Sequence, residues 1–196
     1  MSHPTYWIMS CEQPLSAHGE AMLELMNDMV IPGVRSWKLG RPFTVDIETP
    51  ILVDMLTYRG YRGPPVELWD SGVPLLSARL AEALIRAGVS TLDLYDAVIR
   101  EPTSEKQYRH FAYNVTLLLA AADMERSEWY CYDNNLMFDV SFFDLVIDPS
   151  KCHDELLFRL AQNINALMVH DSVREEVLAS GIDTLSFIRP EDWMQI

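Results

Sequence analysis

Basic residues are scarce in this chain of 196 residues, which has 15 Lys and Arg against 29 Asp and Glu. The net charge of −14 at pH 7 repels a phosphate backbone, so nucleic acid is not expected as a partner. An acidic surface attracts a basic protein, because opposite fields speed the encounter and orient the two molecules. Solubility is the more ordinary role of such a surface, and the charge is compatible with both roles.

The sequence also lacks a run of about 18 apolar residues, so no membrane-spanning segment is expected. The first residues, MSHPTYWIMSCEQP, have neither a basic start nor an apolar core and do not resemble a secretion signal. Cysteine is rare, and Cys11, Cys131 and Cys152 form no CxxC pair. Three cysteines cannot all pair with one another, so reduced thiols are the simplest interpretation. Reduced thiols are typical of cytoplasmic proteins, and a cytoplasmic location is predicted.

Signatures of catalysis are missing as well, because GxGxxG, Walker A, HExxH and GxSxG do not occur. The five histidines form no pair at i,i+3 or i,i+4, so no metal site is predicted. Cys152, His153 and Asp154 are neighbours in sequence, but adjacent side chains point in different directions, which favours an ordinary loop. Neither an enzyme nor a cofactor is predicted, although a small hydrolase that uses Cys152 or a carboxylate pair stays open.

The length of the chain and the absence of a long linker predict a single α+β domain over residues 1–196. Runs rich in β-forming residues predict strands at 5–10, 141–147 and 156–161. The apolar run 113–122 fits a buried strand better than a helix, because β-forming residues lie early in it.

A helix is predicted in SAHGEAMLELMNDMVIPG (16–33), which ends in a Pro-Gly turn. Apolar residues recur there at helical spacing: Met22, Leu25, Met26 and Met29. The stretch 36–65 alternates short apolar runs with Gly and Pro, which is typical of strands and turns.

Two stretches share one pattern, LLSARLAEALIRAGVSTLDLY (75–95) and MVHDSVREEVLASGIDTLSFI (168–188). Each predicts a strand, a capped short helix, a glycine stop at Gly88 or Gly181, and a second strand. The predicted caps are Ser77 and either Asp171 or Ser172. Buried stripes are predicted at equivalent positions: Leu80, Leu84 and Ile85, and Val173, Val177 and Leu178. The prediction is a mixed or mainly antiparallel sheet flanked by short helices, with two similar strand–helix–strand units as supports.

The negative charge is concentrated in residues 91–155, which hold 13 acidic and 5 basic side chains. Within them, MERSEWYCYDNN (124–135) sets aromatic rings among carboxylates. Such rings are favoured in protein interfaces when exposed, but they also fit the core of a strand, and both interpretations stay open. The interface interpretation predicts these partner-binding residues: Asp123, Glu125, Glu128, Trp129, Tyr130, Tyr132 and Asp133.

Three segments occur in a characteristic order: VPLLSARLAEALIRAGVSTLDLY, YNVTLLLAAADMERS and LLFRLAQNINALMVHDSVREEVLASGIDTLSFIRPE. In this order and spacing they resemble the bacterial family named immunity protein eleven. Its members have a strand that leads into a serine-capped helix, a strand that reaches an Asp and a Ser, and an "lFRl" strand. The resemblance covers about residues 35–190. The chain departs from it at GIDTLSF (181–187), where many members have a second glycine.

The resemblance implies protein binding, because such proteins are thought to neutralise a cognate toxin within the cell that produces it. It implies no catalytic residues, cofactor or metal. The acidic charge fits a basic toxin, such as a nuclease whose phosphate-binding cleft an acidic protein can occupy. A small-ligand or regulatory binding module is the first alternative, and a small hydrolase is the second.

Overall fold

A computed structural model of the protein describes residues 5–132 and 135–193. Its strands are β1 Tyr6–Cys11, β2 Leu23–Met26, β3 Ile51–Thr57, β4 Leu68–Trp69, β5 Leu75–Ser77, β6 Leu92–Glu101, β7 Lys106–Val115, β8 Leu118–Leu119, β9 Glu128–Tyr130, β10 Ser141–Asp144, β11 Leu157–Leu160, β12 Asn163–His170 and β13 Leu185–Ile188. The α-helices are α1 Ala78–Arg86 and α2 Asp171–Ala179. The predicted α+β class is confirmed, with strands in the majority.

The strands of the described residues form two larger sheets and a ribbon rather than one sheet. The six-stranded sheet has the order β2-β3-β6-β7-β5-β4, in which only β3 and β6 are parallel neighbours. The five-stranded sheet has the order β13-β1-β12-β11-β8, in which only β11 and β8 are parallel. Strands β9 and β10 form the separate two-stranded ribbon. Both large sheets are therefore mixed and mainly antiparallel.

The central core is shared by both helices and both large sheets. Leu80 and Leu84 of α1 and Val173 and Val177 of α2 belong to one buried cluster. Side chains of β5, β7, β11 and β12 complete it: Leu76, Tyr113, Val115, Leu157, Leu167 and Val169. Two further cores lie on the other faces of the sheets, one around β1, β11 and β12 and one around β2, β3 and β6.

The helical stripes are narrower than the sequence predicted. Leu84 is buried, but Ile85 is 58% exposed, and Leu178 of the second helix is 41% exposed. Successive residues lie about 100° apart around a helix. Ile85 therefore lies outside the buried side of α1, which consists of Leu80, Ala81, Ala83 and Leu84. The predictions for Ile85 and Leu178 are therefore wrong, and those for the other four stripe residues are confirmed.

The two helix starts use different caps. The Ser77 hydroxyl accepts a hydrogen bond from the Leu80 N–H at 3.1 Å, as predicted. At α2 the cap is His170, whose Nδ1 accepts from the Ser172 N–H at 3.2 Å. The prediction of Asp171 or Ser172 as the cap is wrong, because β12 continues to His170 and the helix begins at the next residue.

Both helices are followed by glycines in the left-handed region, with φ of +87° at Gly88 and +75° at Gly181. Along the chain, α1 lies between β5 and β6, and α2 between β12 and β13. In the six-stranded sheet β7 lies between β5 and β6, and in the five-stranded sheet β1 lies between β12 and β13. Whether the two segments act as equivalent supports stays a prediction.

The predicted helix in residues 16–33 is wrong. Residues Leu23–Met26 form strand β2, in which Leu23 and Leu25 are buried while Glu24 and Met26 are exposed. Alternate burial is typical of a strand, and this segment pairs with β3. Tertiary packing therefore favours the strand over the helix that the spacing of the same apolar residues predicted. The predicted strands around β1, β10 and β11 are confirmed, and the run 113–122 contains the end of β7 and β8.

Neither α-helix of the described residues, each nine residues long, has the length or apolar character that crossing a membrane requires.

Candidate functional site

The ribbon of β9 and β10 carries three of the seven predicted partner-binding residues, Glu128, Trp129 and Tyr130. Tyr130 pairs with Ser141 and Trp129 with Phe142, and the register shifts beyond Phe142. Phe142 is 1% exposed and packs in the core beneath the five-stranded sheet with Val140 and Leu145. One buried ring therefore anchors the ribbon to the body of the protein.

The rings of β9 and the ring of Tyr132, two residues after it, are exposed. Trp129 is 38% exposed, Tyr130 is 55% exposed and Tyr132 is 92% exposed. The interpretation of these rings as strand core is therefore wrong. Phe143, which the sequence analysis did not single out, is 61% exposed. Alternation along β10 could have revealed it, since Phe142 and Phe143 point to opposite faces.

The exposed rings of this region and one acidic residue of each ribbon strand form what we call the ribbon surface: Glu128, Trp129, Tyr130, Tyr132, Phe143 and Asp144. Glu128 and Asp144 are exposed and are partners in the strand pairing. The indole N–H of Trp129 donates to the Met124 carbonyl at 3.0 Å, which holds that ring against the preceding turn. A surface of rings among carboxylates combines apolar area with negative charge.

The segment that connects β9 to β10 adds further apolar area. Leu136, Met137 and Phe138 are each about two-fifths exposed. Phe138 has a φ of +77°, which is uncommon for a residue with a side chain. Its backbone N–H donates to the Ala161 carbonyl at 2.8 Å and its carbonyl accepts from Ile164 at 3.2 Å. These bonds to Ala161 in the turn after β11 and to Ile164 in β12 hold the strained residue in place.

Of the predicted acidic residues, Asp123 has a local structural role. Its Oδ1 accepts from the backbone N–H groups of Glu125 and Arg126 at 3.2 Å each, which stabilises the turn before β9. Glu125 is exposed. Asp133 lies outside the described residues. The structure thus places six of the seven predicted residues on one segment, 123–132, that leads into and through the ribbon.

An open cleft of about 910 Å³ lies beside the ribbon. Asp123 and Glu125 line it from the turn before β9, and Gln162 lines it from the turn between β11 and β12. Lys151 lines it from the 3-10 helix Pro149–Lys151, and Asp148 lines it from the capping position before that helix. The Ser150 hydroxyl and N–H donate to Asp148, and these hydrogen bonds lower the pKa of Asp148.

The Cys152 thiol belongs to the core rather than to this cleft. Its side chain is fully buried, and burial, with Asp148 nearby, raises its pKa to about 12. At neutral pH the group is a thiol and not a thiolate, which makes it a poor nucleophile. His153 beside it is exposed and has a φ of +52°. In the described part of the chain, no group of three or more His, Cys, Asp or Glu side chains could hold a metal ion.

A buried ion cluster joins the two large sheets. The guanidinium of Arg159 in β11 is fully buried and contacts both carboxylate oxygens of Asp70, at 2.6 and 3.0 Å. The Tyr113 hydroxyl of β7 donates to the same carboxylate at 2.6 Å, and Lys38 Nζ lies 3.2 Å from it. Burial alone would raise the pKa of Asp70, but Arg159 and Lys38 hold it below its usual value.

The ion cluster also borders a smaller cavity of about 270 Å³, lined by Lys38, Asp70 and Asn165. Lys38 Nζ donates to the Asp70 carbonyl at 2.7 Å and to Asn165 Oδ1 at 2.9 Å. The charged groups of the cluster thus bind one another, while the buried Arg159 Nε has no hydrogen-bond partner among the described residues, and the cluster connects the two sheets.

The sequence model of the immunity protein family Imm11 matches residues 23–192. The match spans the ribbon surface, the cleft and the ion cluster, and it confirms the resemblance noted from three segments of the sequence. No curated protein matches the chain.

Proposed function

Because the chain belongs to the immunity protein family Imm11, we propose that it binds a cognate toxin protein and neutralises it in the cytoplasm of the cell that makes both. Family membership supports the toxin-neutralising role. The location follows from the same role, since the toxin must be blocked where it is made.

The ribbon surface is the proposed contact with the toxin, and its exposed rings are the observation that carries this assignment. Tyr130, Tyr132 and Phe143 are each more than half exposed, although aromatic side chains usually contribute to cores. Tyr and Trp are enriched among the few residues that supply most of the binding energy of interfaces. The surrounding carboxylates favour a basic partner and set its orientation.

A basic toxin that binds nucleic acid suits this charge. Residues 91–155, which include the ribbon surface, carry a net charge of −8. An acidic protein can take the place of a phosphate backbone in the positive cleft of a nuclease. We therefore include nuclease toxins in the proposal, and digestion of DNA and RNA by the purified toxin, with and without this protein, tests that part.

The hydrolase alternative has weaker support, because the Cys152 thiol is buried and its pKa is about 12. The small-ligand alternative would be favoured by a closed apolar pocket lined by methionines. Met9, Met55 and Met168 instead fill positions in three different cores. Toxin binding is therefore the function that the described residues support best.

Co-expression with the product of the neighbouring toxin gene tests the proposal. The wild-type protein is expected to co-purify with the toxin and to restore growth of cells that express it. The variants Tyr130→Ala and Phe143→Ala are expected to weaken the complex by tenfold or more each, the loss of a typical binding hot spot. Tyr58→Ala is the matched control, since Tyr58 is 39% exposed but lies after β3, away from the ribbon.

Two results would contradict the proposal. The absence of both a complex and growth rescue would overturn the immunity role itself. A complex that Tyr58→Ala weakens as much as Tyr130→Ala would keep the role but remove the ribbon surface as the contact.

A further inference from the structure

An apolar groove of about 560 Å³, which we call the β3 groove, lies where the connection from β2 to β3 begins and ends. Ile31 and Ile51 line it and also pack into the core of the six-stranded sheet. Met29, Val30 and Leu52 line it with exposed side chains, and Val30 is 89% exposed. Several exposed apolar side chains around one groove are typical of a surface that a partner covers.

The two walls of the β3 groove are packed against one another. Gly33 has a φ of +82°, and its backbone lies so close to Val45 that a Cβ atom would approach Val45 Cγ1 to 2.7 Å. The Val34 N–H donates to the Ile31 carbonyl at 3.0 Å, which closes a turn beside the groove. The groove is therefore formed before a partner arrives, as is usual for binding sites.

The charge of the groove indicates which kind of partner covers it. Asp46 and Glu48 are the charged side chains of its lining, and both are exposed. Neither forms an ion pair with another described residue. A second copy of the chain would bring a further net charge of −14 to these carboxylates, so like charges oppose self-association here. A segment that combines apolar side chains with Lys or Arg complements both properties of the groove.

Contacts connect the groove with the side of the molecule that carries the ribbon. The Ile164 N–H donates to the Phe138 carbonyl in the segment between β9 and β10. Asn165, the next residue, accepts from Lys38 Nζ at 2.9 Å. Lys38 in turn lines a cavity of about 390 Å³ together with residues 29–31, which also line the β3 groove. One partner can therefore cover the ribbon surface and the groove.

We propose that the β3 groove is a second docking site for the toxin and receives a toxin segment in which apolar side chains are flanked by Lys or Arg. The apolar side chains cover Val30 and Leu52, and the basic ones pair with Asp46 and Glu48. This assignment rests on the proposed function and extends it, because it names the chemistry of a toxin segment away from the rings. Two linked contacts on one partner bind more tightly than either contact alone.

A titration of the full chain, labelled with carbon-13 at its methionine methyl groups, tests the groove without the toxin. The peptide N-acetyl-Lys-Leu-Leu-Lys amide is expected to shift the Met29 methyl signal to saturation, with a dissociation constant on the order of 1 mM. N-acetyl-Glu-Leu-Leu-Glu amide has the same apolar side chains with the opposite charge, and it is expected to bind at least about tenfold more weakly. The Met168 signal is the internal control, since that side chain is fully buried in a different core.

Variants separate the apolar and the charged parts of the groove. Val30→Ser removes an exposed side chain, preserves the fold, and is expected to weaken the Lys-Leu-Leu-Lys peptide and the toxin about fivefold each. The double variant Asp46→Asn, Glu48→Gln is expected to weaken the same peptide about fivefold and to reduce its preference over the acidic peptide. Leu15→Ser is the matched control, because Leu15 is 58% exposed but lies outside the lining of the groove. It is expected to leave both affinities unchanged.

The outcomes distinguish this inference from the proposed function. If the basic peptide leaves the Met29 signal unchanged, or if the acidic peptide binds equally well, the groove assignment is overturned even when the chain protects cells from the toxin. A Met29 signal that shifts as the concentration of the chain alone rises would identify a second copy as the occupant and overturn the assignment as well.

The toxin complex supplies the remaining outcomes. If Tyr130→Ala weakens that complex and Val30→Ser does not, the ribbon surface stays the contact and the groove is excluded. If the chain neither binds the toxin nor rescues growth, the proposed function fails and the assignment of the groove to a toxin segment fails with it. Peptide binding at Met29, together with a toxin complex that Val30→Ser weakens and Leu15→Ser does not, supports the second docking site.

Discussion

At the scale of single residues, the buried ion cluster is the feature with the clearest energetic consequence. Arg159 is fully buried, and its charge is balanced by Asp70, a residue 89 positions earlier in the chain. A buried charge that loses its partner is strongly destabilising, because the lost solvation is no longer offset by an opposite charge. Removal of either charge is therefore expected to destabilise the protein, because the other charge stays without its partner.

The variant Asp70→Asn is expected to lower the free energy of unfolding by about 3–5 kcal/mol, because the Arg159 guanidinium stays buried without a counter-charge. Chemical denaturation followed by circular dichroism measures the change. The control is Asp96→Asn, which removes a carboxylate 63% exposed and 3.9 Å from Arg109. Exposed pairs of this kind contribute less than about 1 kcal/mol, and an equal effect of both variants would contradict the structural role of the cluster.

The same carboxylate predicts a pH dependence. The pKa of Asp70 in the folded protein lies below its usual value of 3.8, so the folded state favours the charged form. The stability that this shift contributes is present above the unfolded-state pKa and is lost as the pH falls through the folded-state pKa. The difference in unfolding free energy between wild type and Asp70→Asn is therefore expected to narrow below about pH 4. Denaturation of both proteins between pH 7 and pH 3 measures it, and a constant difference would count against the pairing.

At the scale of elements, two neighbouring residues of the ribbon have different roles, one in the core and one on the surface. Phe142 lies in the core at 1% exposure, and Phe143 is 61% exposed on the ribbon surface. Among the described residues, neither β9 nor β10 pairs with a strand of either large sheet, and the ribbon is held by the buried ring and by backbone hydrogen bonds of flanking residues, such as the Val140 N–H to the Gln162 carbonyl. This attachment leaves Tyr130 and Phe143 exposed on the opposite face of the ribbon.

Substitution of the two rings is expected to have opposite consequences. Phe142→Ala removes a buried ring and should lower the free energy of unfolding by about 3–5 kcal/mol. Phe143→Ala should change it by no more than about 0.5 kcal/mol, yet weaken toxin binding as described above. Denaturation of each variant, with titration calorimetry against the toxin, checks both parts. Equal destabilisation by the two variants would show that Phe143 also belongs to the core.

The elements also show how far the sequence alone predicts this fold. The Ser77 cap and the glycines after both helices were predicted, because capping and left-handed turns depend on a few neighbouring residues. The strand Leu23–Met26 was predicted as a helix, since Met22, Leu25 and Met26 fit the helical period, whereas Leu23 and Leu25 fit the period of two. Only pairing with β3 selects the strand, and β3 lies about 30 residues later in the sequence.

At the scale of the whole molecule, the net charge of −14 acts on the encounter with a partner. Opposite charge raises the association rate of two proteins, and salt screens the effect. Short-range contacts of the ribbon surface act mainly on dissociation instead. Charge and rings thus contribute to different steps of toxin binding.

The association rate with a basic toxin is expected to fall by about tenfold or more between ~0.05 M and ~0.5 M salt, because the Debye length shortens. The dissociation rate should change much less. Biosensor kinetics over this range measure both rates. The double variant Glu125→Gln, Glu128→Gln should reduce the salt dependence of association, whereas Tyr130→Ala should leave it unchanged. A salt effect confined to dissociation would argue against steering by the acidic surface.

The sequence by itself determined the α+β class, the family, the acidic character and the approximate places of both helices and of several strands. These depend on local hydrogen bonding, on side-chain periodicity and on composition, all of which can be found within short windows. The tertiary structure decided which rings are exposed, how Asp70 meets Arg159, and that Gln162 lines a cleft beside the acidic turn. Those properties depend on which surfaces of distant segments meet, and burial is a property of the assembled sheets rather than of any one residue type.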